Sequence, residues 1–317
     1  MSRSSREQLT GTCLGIAAIL IWSSLVAVAR GTSEHLGVLA SAALANLVGG
    51  GLAVAVAQMR TGYLEKVIRL PRNYLLGCGA LFVLYNLALY PALQAAATEQ
   101  QVIEVGLIQY LWPALTLALA VPVLGKNASP WLVPGLIVAT AGAFLAKSGG
   151  SLSWASFRVG LDTNPWPYAL ALVAAMSWAL YSNLARRWAG QRGVSGAPLF
   201  LTATGVALAI VHAVRGGGYH LDWQLRPVLE LAYLTLFPTL LAYVFWDFAM
   251  RQGNIILVSS LSFFTPLLST LISSIYLGVP MGVDLWIASG LVIVGAFICK
   301  RSIREPQIAP TGTDEEG

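Results

Sequence analysis

Charge is what this sequence has least of. Only 10% of its 317 residues are Asp, Glu, Lys or Arg, against roughly 25% in a water-soluble domain. A soluble chain so poor in charge would have to leave continuous apolar faces in water, which folded monomers avoid. Histidine and cysteine are scarce too, at three each. His35, His212 and His220 sit at loop or span ends with no partner in view, and there is no HExxH. Cys13, Cys78 and Cys299 are odd in number, far apart and each inside an apolar stretch. That pattern excludes a disulfide framework and reads as small buried residues. Phosphate loops and nucleophile elbows are absent. Catalysis, metal binding and a bound cofactor all lack residues to carry them.

What remains is apolar: 56% of the residues are hydrophobic, with a mean hydropathy of +0.70. A helix needs about 20 apolar residues to cross some 30 Å of hydrocarbon. Ten such runs occur, at 10–30, 36–58, 73–96, 100–122, 129–147, 166–188, 196–214, 228–249, 254–276 and 281–300. The expectation is an all-α integral membrane protein of ten transmembrane helices whose principal partner is the lipid bilayer. Connections are short and marked by breakers: Gly37, Pro71, Gly125 with Pro130, Pro165 with Pro167, Gly193 with Gly196, Gly216–Gly218, and Pro280. Only 148–165 is long enough to fold over a face. The polar, acidic segment 302–317 reads as a disordered tail.

The net charge of +5 comes from short clusters between the apolar runs, a topology signal rather than a nucleic-acid patch. With the N-terminus in the cytoplasm, fourteen of the 19 Lys and Arg residues fall in inside loops, so both termini are expected to be cytoplasmic. The first run could pass for a signal peptide ending at Ala27-Val28-Ala29. It is long for a signal core, and it has a counterpart later in the chain.

That counterpart belongs to an internal repeat. A shift of 153 superposes Tyr90 on Tyr243, Pro113 on Pro266, Leu124-Gly125 on Leu277-Gly278, Gly142-Ala143-Phe144 on Gly295-Ala296-Phe297, and Lys147 on Lys300. A shift of 156 superposes Ala18 on Ala174, Trp22 on Trp178 and Arg30 on Arg186. Matches in Pro, Trp, Tyr and Lys go beyond what shared Leu and Ala produce. The chain divides into 1–153 and 154–301, five spans each. Five is odd, so the second half is inverted, as in transporters that alternate access.

Within this frame Pro113 and Pro266 are expected mid-span, as kinks or hinges. Ser259, Ser262, Thr265, Ser269 and Ser273 share one face of span 9, turned either to a wet cavity or to packing. Trp22, Asn86, Tyr90, Gln109, Trp112, Trp178, Tyr181, Tyr243 and Phe263 are the candidate substrate-binding residues, suited to a flat apolar solute with a polar end. Glu104, about one turn inside span 4, is the candidate for proton coupling. Asp247 and Arg251, one turn apart near the inner end of span 8, read as an interfacial pair.

The five-plus-five pattern resembles the drug/metabolite transporter superfamily, EamA type. The stretches QYLWPALTLALAVPVLG (109–125) and NPWPYALALVAAMSWALYSNLARRW (164–188) are similar to YddG-type aromatic amino acid exporters. The resemblance implies a monomeric inner-membrane exporter of aromatic or other neutral amino acids in a bacterium. It further implies a central cavity lined by spans 1, 3, 4, 6, 8 and 9. Other cargoes, such as drugs or organic cations, are the alternative.

Overall fold

The computed structural model describes residues 3–148, 154–189, 194–216, 225–277 and 283–304; the side chains of 3–4, 25–35, 273–277 and 284 fall outside that description. The expected tail beyond Arg304, His220, Pro280, Gly193 and the side chains of Ser273 and His35 therefore lie outside the described residues.

The fold is helical apart from one two-residue strand pair. Helix α1 runs Arg3–Leu36, α2 Val38–Thr61 and the short α3 Tyr63–Val67. A π-helical turn at Asn73–Cys78 leads into α4, Gly79–Ala95. Span 4 is two helices, α5 (Glu99–Gln109) and α6 (Trp112–Leu124), followed by strand β1 (Asn127–Ala128) and α7 (Leu132–Ser148). An amphipathic α8 (Trp154–Thr163) occupies the one long connection. Then come α9 (Trp166–Ala189), α10 (Ala197–Val214) and α11 (Leu225–Leu234), which continues through a π-helical stretch, Thr235–Leu241, into α12 (Ala242–Gln252). Span 9 is α13 (Ile255–Leu261), a 3-10 turn Ser262–Phe264 and α14 (Thr265–Leu277). Helix α15 (Val283–Ser302) ends in strand β2 (Ile303–Arg304), which pairs antiparallel with β1.

Eight helical runs among the described residues are long and apolar enough to cross a membrane: 38–61, 73–95, 99–124, 166–189, 197–214, 225–252, 255–272 and 285–302. The 17-residue α7 is apolar but shorter. Local chemistry sets the ends. Thr98 and Asn254 accept hydrogen bonds from the Gln101 and Leu257 amides and start α5 and α13. Gly62 and Gly125 close α2 and α6 with φ near +62° and +63°, a left-handed conformation glycine adopts without a Cβ clash.

Packing runs between early and late elements rather than along the chain. The closest helix pairs are α7 with α15 and α2 with α10; α1 lies on α12 and α14, while α9 lies on α4 and α6. Small residues permit the first two approaches. A Cβ on Gly295 would sit 2.3 Å from the Ala139 amide nitrogen, and one on Gly50 2.5 Å from that of Thr202. In lipid, where apolar burial supplies little drive, such backbone proximity gives the van der Waals contact that holds helices together.

Candidate functional site

Helices α1, α4, α6, α9 and α12 converge on a knot of aromatic rings. Three of them contribute pairs three residues apart, Phe82 with Tyr85, Trp178 with Tyr181 and Tyr243 with Trp246, so both members share a helix face. Trp178 is the hub. Its ring meets Trp22 at 5.8 Å and Tyr243 at 5.5 Å edge-on, Trp112 at 6.4 Å nearly perpendicular, and Trp246 stacked at 6.0 Å. Tyr85 lies 4.8 Å away, and Trp112 and Trp246 touch at 5.2 Å. Such pairs are worth roughly 0.5–1.5 kcal/mol each beyond area burial.

Two of the four indole N–H groups have identified partners: Trp22 donates to the Pro238 carbonyl in the π-helical stretch at 3.1 Å, and Trp246 to the Ser182 hydroxyl at 3.1 Å. Asn86, fully buried one turn beyond Phe82, donates to the Phe82 carbonyl at 2.9 Å, and its own carbonyl oxygen has no partner. Asn183 ties α9 to α6 by donating to the Thr116 carbonyl at 3.0 Å.

Of the nine expected binding residues, Trp22, Trp112, Trp178, Tyr181 and Tyr243 meet here, with Asn86 beside them. Gln109 is half-buried at the end of α5. Tyr90 packs with Leu39, Leu87 and Leu208 at the edge of the knot, within electrostatic reach of Tyr85 and Tyr243. Phe263 packs with Tyr110, Leu117, Leu132 and Val292, behind span 9, and is not brought into the knot. Sequence reasoning left Phe82, Tyr85 and Trp246 out of the binding set. Their signal was i, i+3 pairing, Phe82 with Tyr85 and Trp246 with Tyr243. Five of the six spans expected to line a cavity, 1, 3, 4, 6 and 8, supply the rings; span 9 supplies none, and the meeting place is filled.

The matched prolines lie mid-span, as expected, but at helix starts rather than at kinks within a continuous helix. Pro113 and Pro266 are each the second residue of a helix, α6 and α14, just after a break at Tyr110–Leu111 or Ser262–Phe264. In a first turn proline's missing N–H leaves no gap, so it starts a helix rather than kinking one. The Tyr110 hydroxyl donates to the Ser262 carbonyl and joins the two breaks. Of the polar line, Ser259 and Ser262 are fully buried; Ser262 donates to the Val258 carbonyl, whereas the Ser259 hydroxyl is buried without a partner.

Two acids lie inside the bundle. The expected pair near the end of span 8 is present and buried: Arg251 is 1% exposed and Asp247 0%. The Tyr74 and Tyr181 hydroxyls donate to its Oδ1, both at 2.8 Å, the Ser195 hydroxyl donates to Oδ2 at 2.6 Å, and the Arg251 Nε lies 3.5 Å from Oδ2. Arg251 also donates to the Val194 carbonyl and covers the Tyr74 ring. This network gathers span 3, α9, the Val194–Ser195 connection and α12 at one end of the bundle. Neighbouring Arg186 donates to the Gly253 carbonyl at 2.7 Å. Glu104, 2% exposed, lies nearer the other end; it accepts from the Tyr168 hydroxyl at 2.5 Å and the Gln100 side chain at 3.1 Å. No cluster of His, Cys, Asp and Glu among the described residues is arranged to hold a metal.

Comparison with known proteins bears on this site. The model of the EamA-like transporter family matches residues 9–147 and again 165–300. The aromatic amino acid exporter YddG of Salmonella typhimurium (strain 14028s / SGSC 2262) is 32% identical over 294 residues, covering 91% of this chain and 96% of that protein. Its namesake in Escherichia coli K12 is 31% identical over the same share. The one in Ancylobacter novellus is 30% identical over 94% of this chain and 98% of its own length. A solved crystal structure superposes with a TM-score of 0.76 at 27% identity, covering 94% of this chain and 98% of its own.

Proposed function

The chain belongs to the EamA-like transporter family, and from that premise we propose that it exports aromatic and other neutral amino acids across a bacterial inner membrane by alternating access. The observation that carries this reading is the Trp178 knot, where rings from five helices already make the contacts an aromatic side chain seeks. Ring separations of 4.8–6.4 Å leave no slot for another ring, so cargo enters by displacing some of them. The names of the three relatives support the same cargo. An organic cation fits less well, because the deepest acid, Asp247, already faces Arg251.

The proposal includes ten spans in two inverted halves, 1–153 and 154–301. The packing supports it: a two-fold exchange of halves maps the α1–α12 contact onto α9–α4 and α1–α14 onto α9–α6, and carries α2–α10 and α7–α15 onto themselves. The two matches of one family model support it as well. The bias of positive residues supports a cytoplasmic position for both termini, and with them for the Asp247 network. The breaks before Pro113 and Pro266 serve as hinges, and Glu104 as the coupling group. Counterflow of labelled phenylalanine or tryptophan into proteoliposomes tests the central claim. Flux no greater than in protein-free liposomes would reject it.

A further inference from the structure

Lys147 is the second-to-last residue of α7. A lysine in that position ordinarily snorkels outward to the headgroups. This one turns the other way. Its ammonium donates to the Gly106 carbonyl at 3.1 Å. Gly106 is the eighth residue of α5, so that carbonyl lies about 10 Å along the helix from its first residue, at 1.5 Å per residue. The glycine makes the room: a Cβ at 106 would stand 2.8 Å from the Lys147 Nζ and 3.0 Å from its Cε.

Below the ammonium is the Tyr110 ring, 5.7 Å away. Tyr110 occupies the break in span 4 and reaches the break in span 9 through its hydroxyl. Its ring lies 6.3 Å from Trp112, which belongs to the knot. The ammonium therefore sits one ring away from the aromatic site. It carries three donors, and the described structure gives it one carbonyl and one ring face and no carboxylate. Lys147 is itself an exposed residue, so the side chain is open to a ligand rather than sealed in the core.

We propose that Lys147 is the carboxylate subsite of the transporter: it binds the α-carboxylate of the amino acid over the Tyr110 ring, while the cargo's side chain enters the aromatic knot. This rests on the amino acid export reading and specifies how that site tells an amino acid from an amine of the same shape.

The test measures binding of phenylalanine and phenylalaninamide, which keeps the ring and amine but lacks the carboxylate, to purified protein in lipid nanodiscs. Wild type should prefer phenylalanine. Lys147→Gln should weaken phenylalanine at least tenfold and leave the amide within about twofold, since one desolvated charge-assisted contact is worth roughly 1.5–3 kcal/mol. Lys147→Arg should retain most of the preference. Gly106→Val keeps the charge but displaces the ammonium, and should reduce it. The amide also reports folding of each variant. An unchanged acid-to-amide ratio in Lys147→Gln, or equal loss of both ligands with Gly106→Val normal, overturns the subsite while leaving export intact. A wild type that neither binds nor exchanges phenylalanine or tryptophan overturns the export reading, and the subsite with it.

Discussion

Removing either member of the Asp247–Arg251 pair should destabilise the protein more than removing both. Asp247 accepts three hydroxyl hydrogen bonds of 2.6–2.8 Å and faces a guanidinium at 3.5 Å. At roughly 1.5–3 kcal/mol for each bond to a charged group, the gross interaction is about 5–9 kcal/mol. Much of that offsets the desolvation of a fully buried carboxylate. The net loss for Asp247→Leu follows from what stays behind: a guanidinium that is 1% exposed with no anion, a situation that costs about 3–5 kcal/mol. Arg251→Met strands the carboxylate and should cost about the same. The double variant leaves no charge, only the three hydroxyls without their acceptor, so it should cost less than either single change, with a coupling of some 3 kcal/mol or more between the two. Denaturant unfolding of the four proteins in detergent micelles, followed by tryptophan fluorescence, measures each term. Single losses below 1 kcal/mol, or losses that add to within about 0.5 kcal/mol, would refute the burial argument.

Glu104→Gln should flatten the pH dependence of phenylalanine flux, because the amide keeps the contact with Tyr168 but cannot release a proton; a profile matching wild type removes Glu104 as the coupling group. Gly295→Leu should abolish folded protein or cost at least 3 kcal/mol, since its Cβ would meet the Ala139 backbone at 2.3 Å. Gly51→Leu, where nothing lies within 4 Å, is the neutral control, and size-exclusion profiles of the two variants decide the comparison.

The elements most legible in the sequence were those governed by spacing. After the first, the apolar runs located helical segments to within about three residues, since lipid leaves the backbone no other way to satisfy itself, whereas α1 extends six or seven residues past both expected ends. The offset of 153 located the paired prolines, and the two breaks obey it: Tyr110–Leu111 maps onto Phe263–Phe264. The role of those prolines was not legible, because a run of apolar residues looks the same whether a helix passes through it or restarts within it. Trp178 and its neighbours were found as residue types; their assembly was not, and Phe263 turned to the other side of its span. The Asp247 network was hidden for a plainer reason. Its partners Tyr74, Tyr181 and Ser195 lie 173, 66 and 52 residues away, so an i, i+4 pair with Arg251 was all the local sequence offered. Nothing about Lys147 in sequence tells inward from outward.

The pairing of α2 with α10 and of α7 with α15 has a consequence in time. Gly50 finds its neighbour at Thr202, and Gly142 finds its own at Leu291 and Val292. Ribosomes add about 5–20 residues each second, so each early helix waits roughly 8–30 seconds in the bilayer before its mate is made. During that interval its glycine face meets only lipid, and the first half of the chain is open to any other helix with a small-residue stripe. Assembly of this transporter is therefore decided late, when the second half arrives to claim surfaces left waiting by the first.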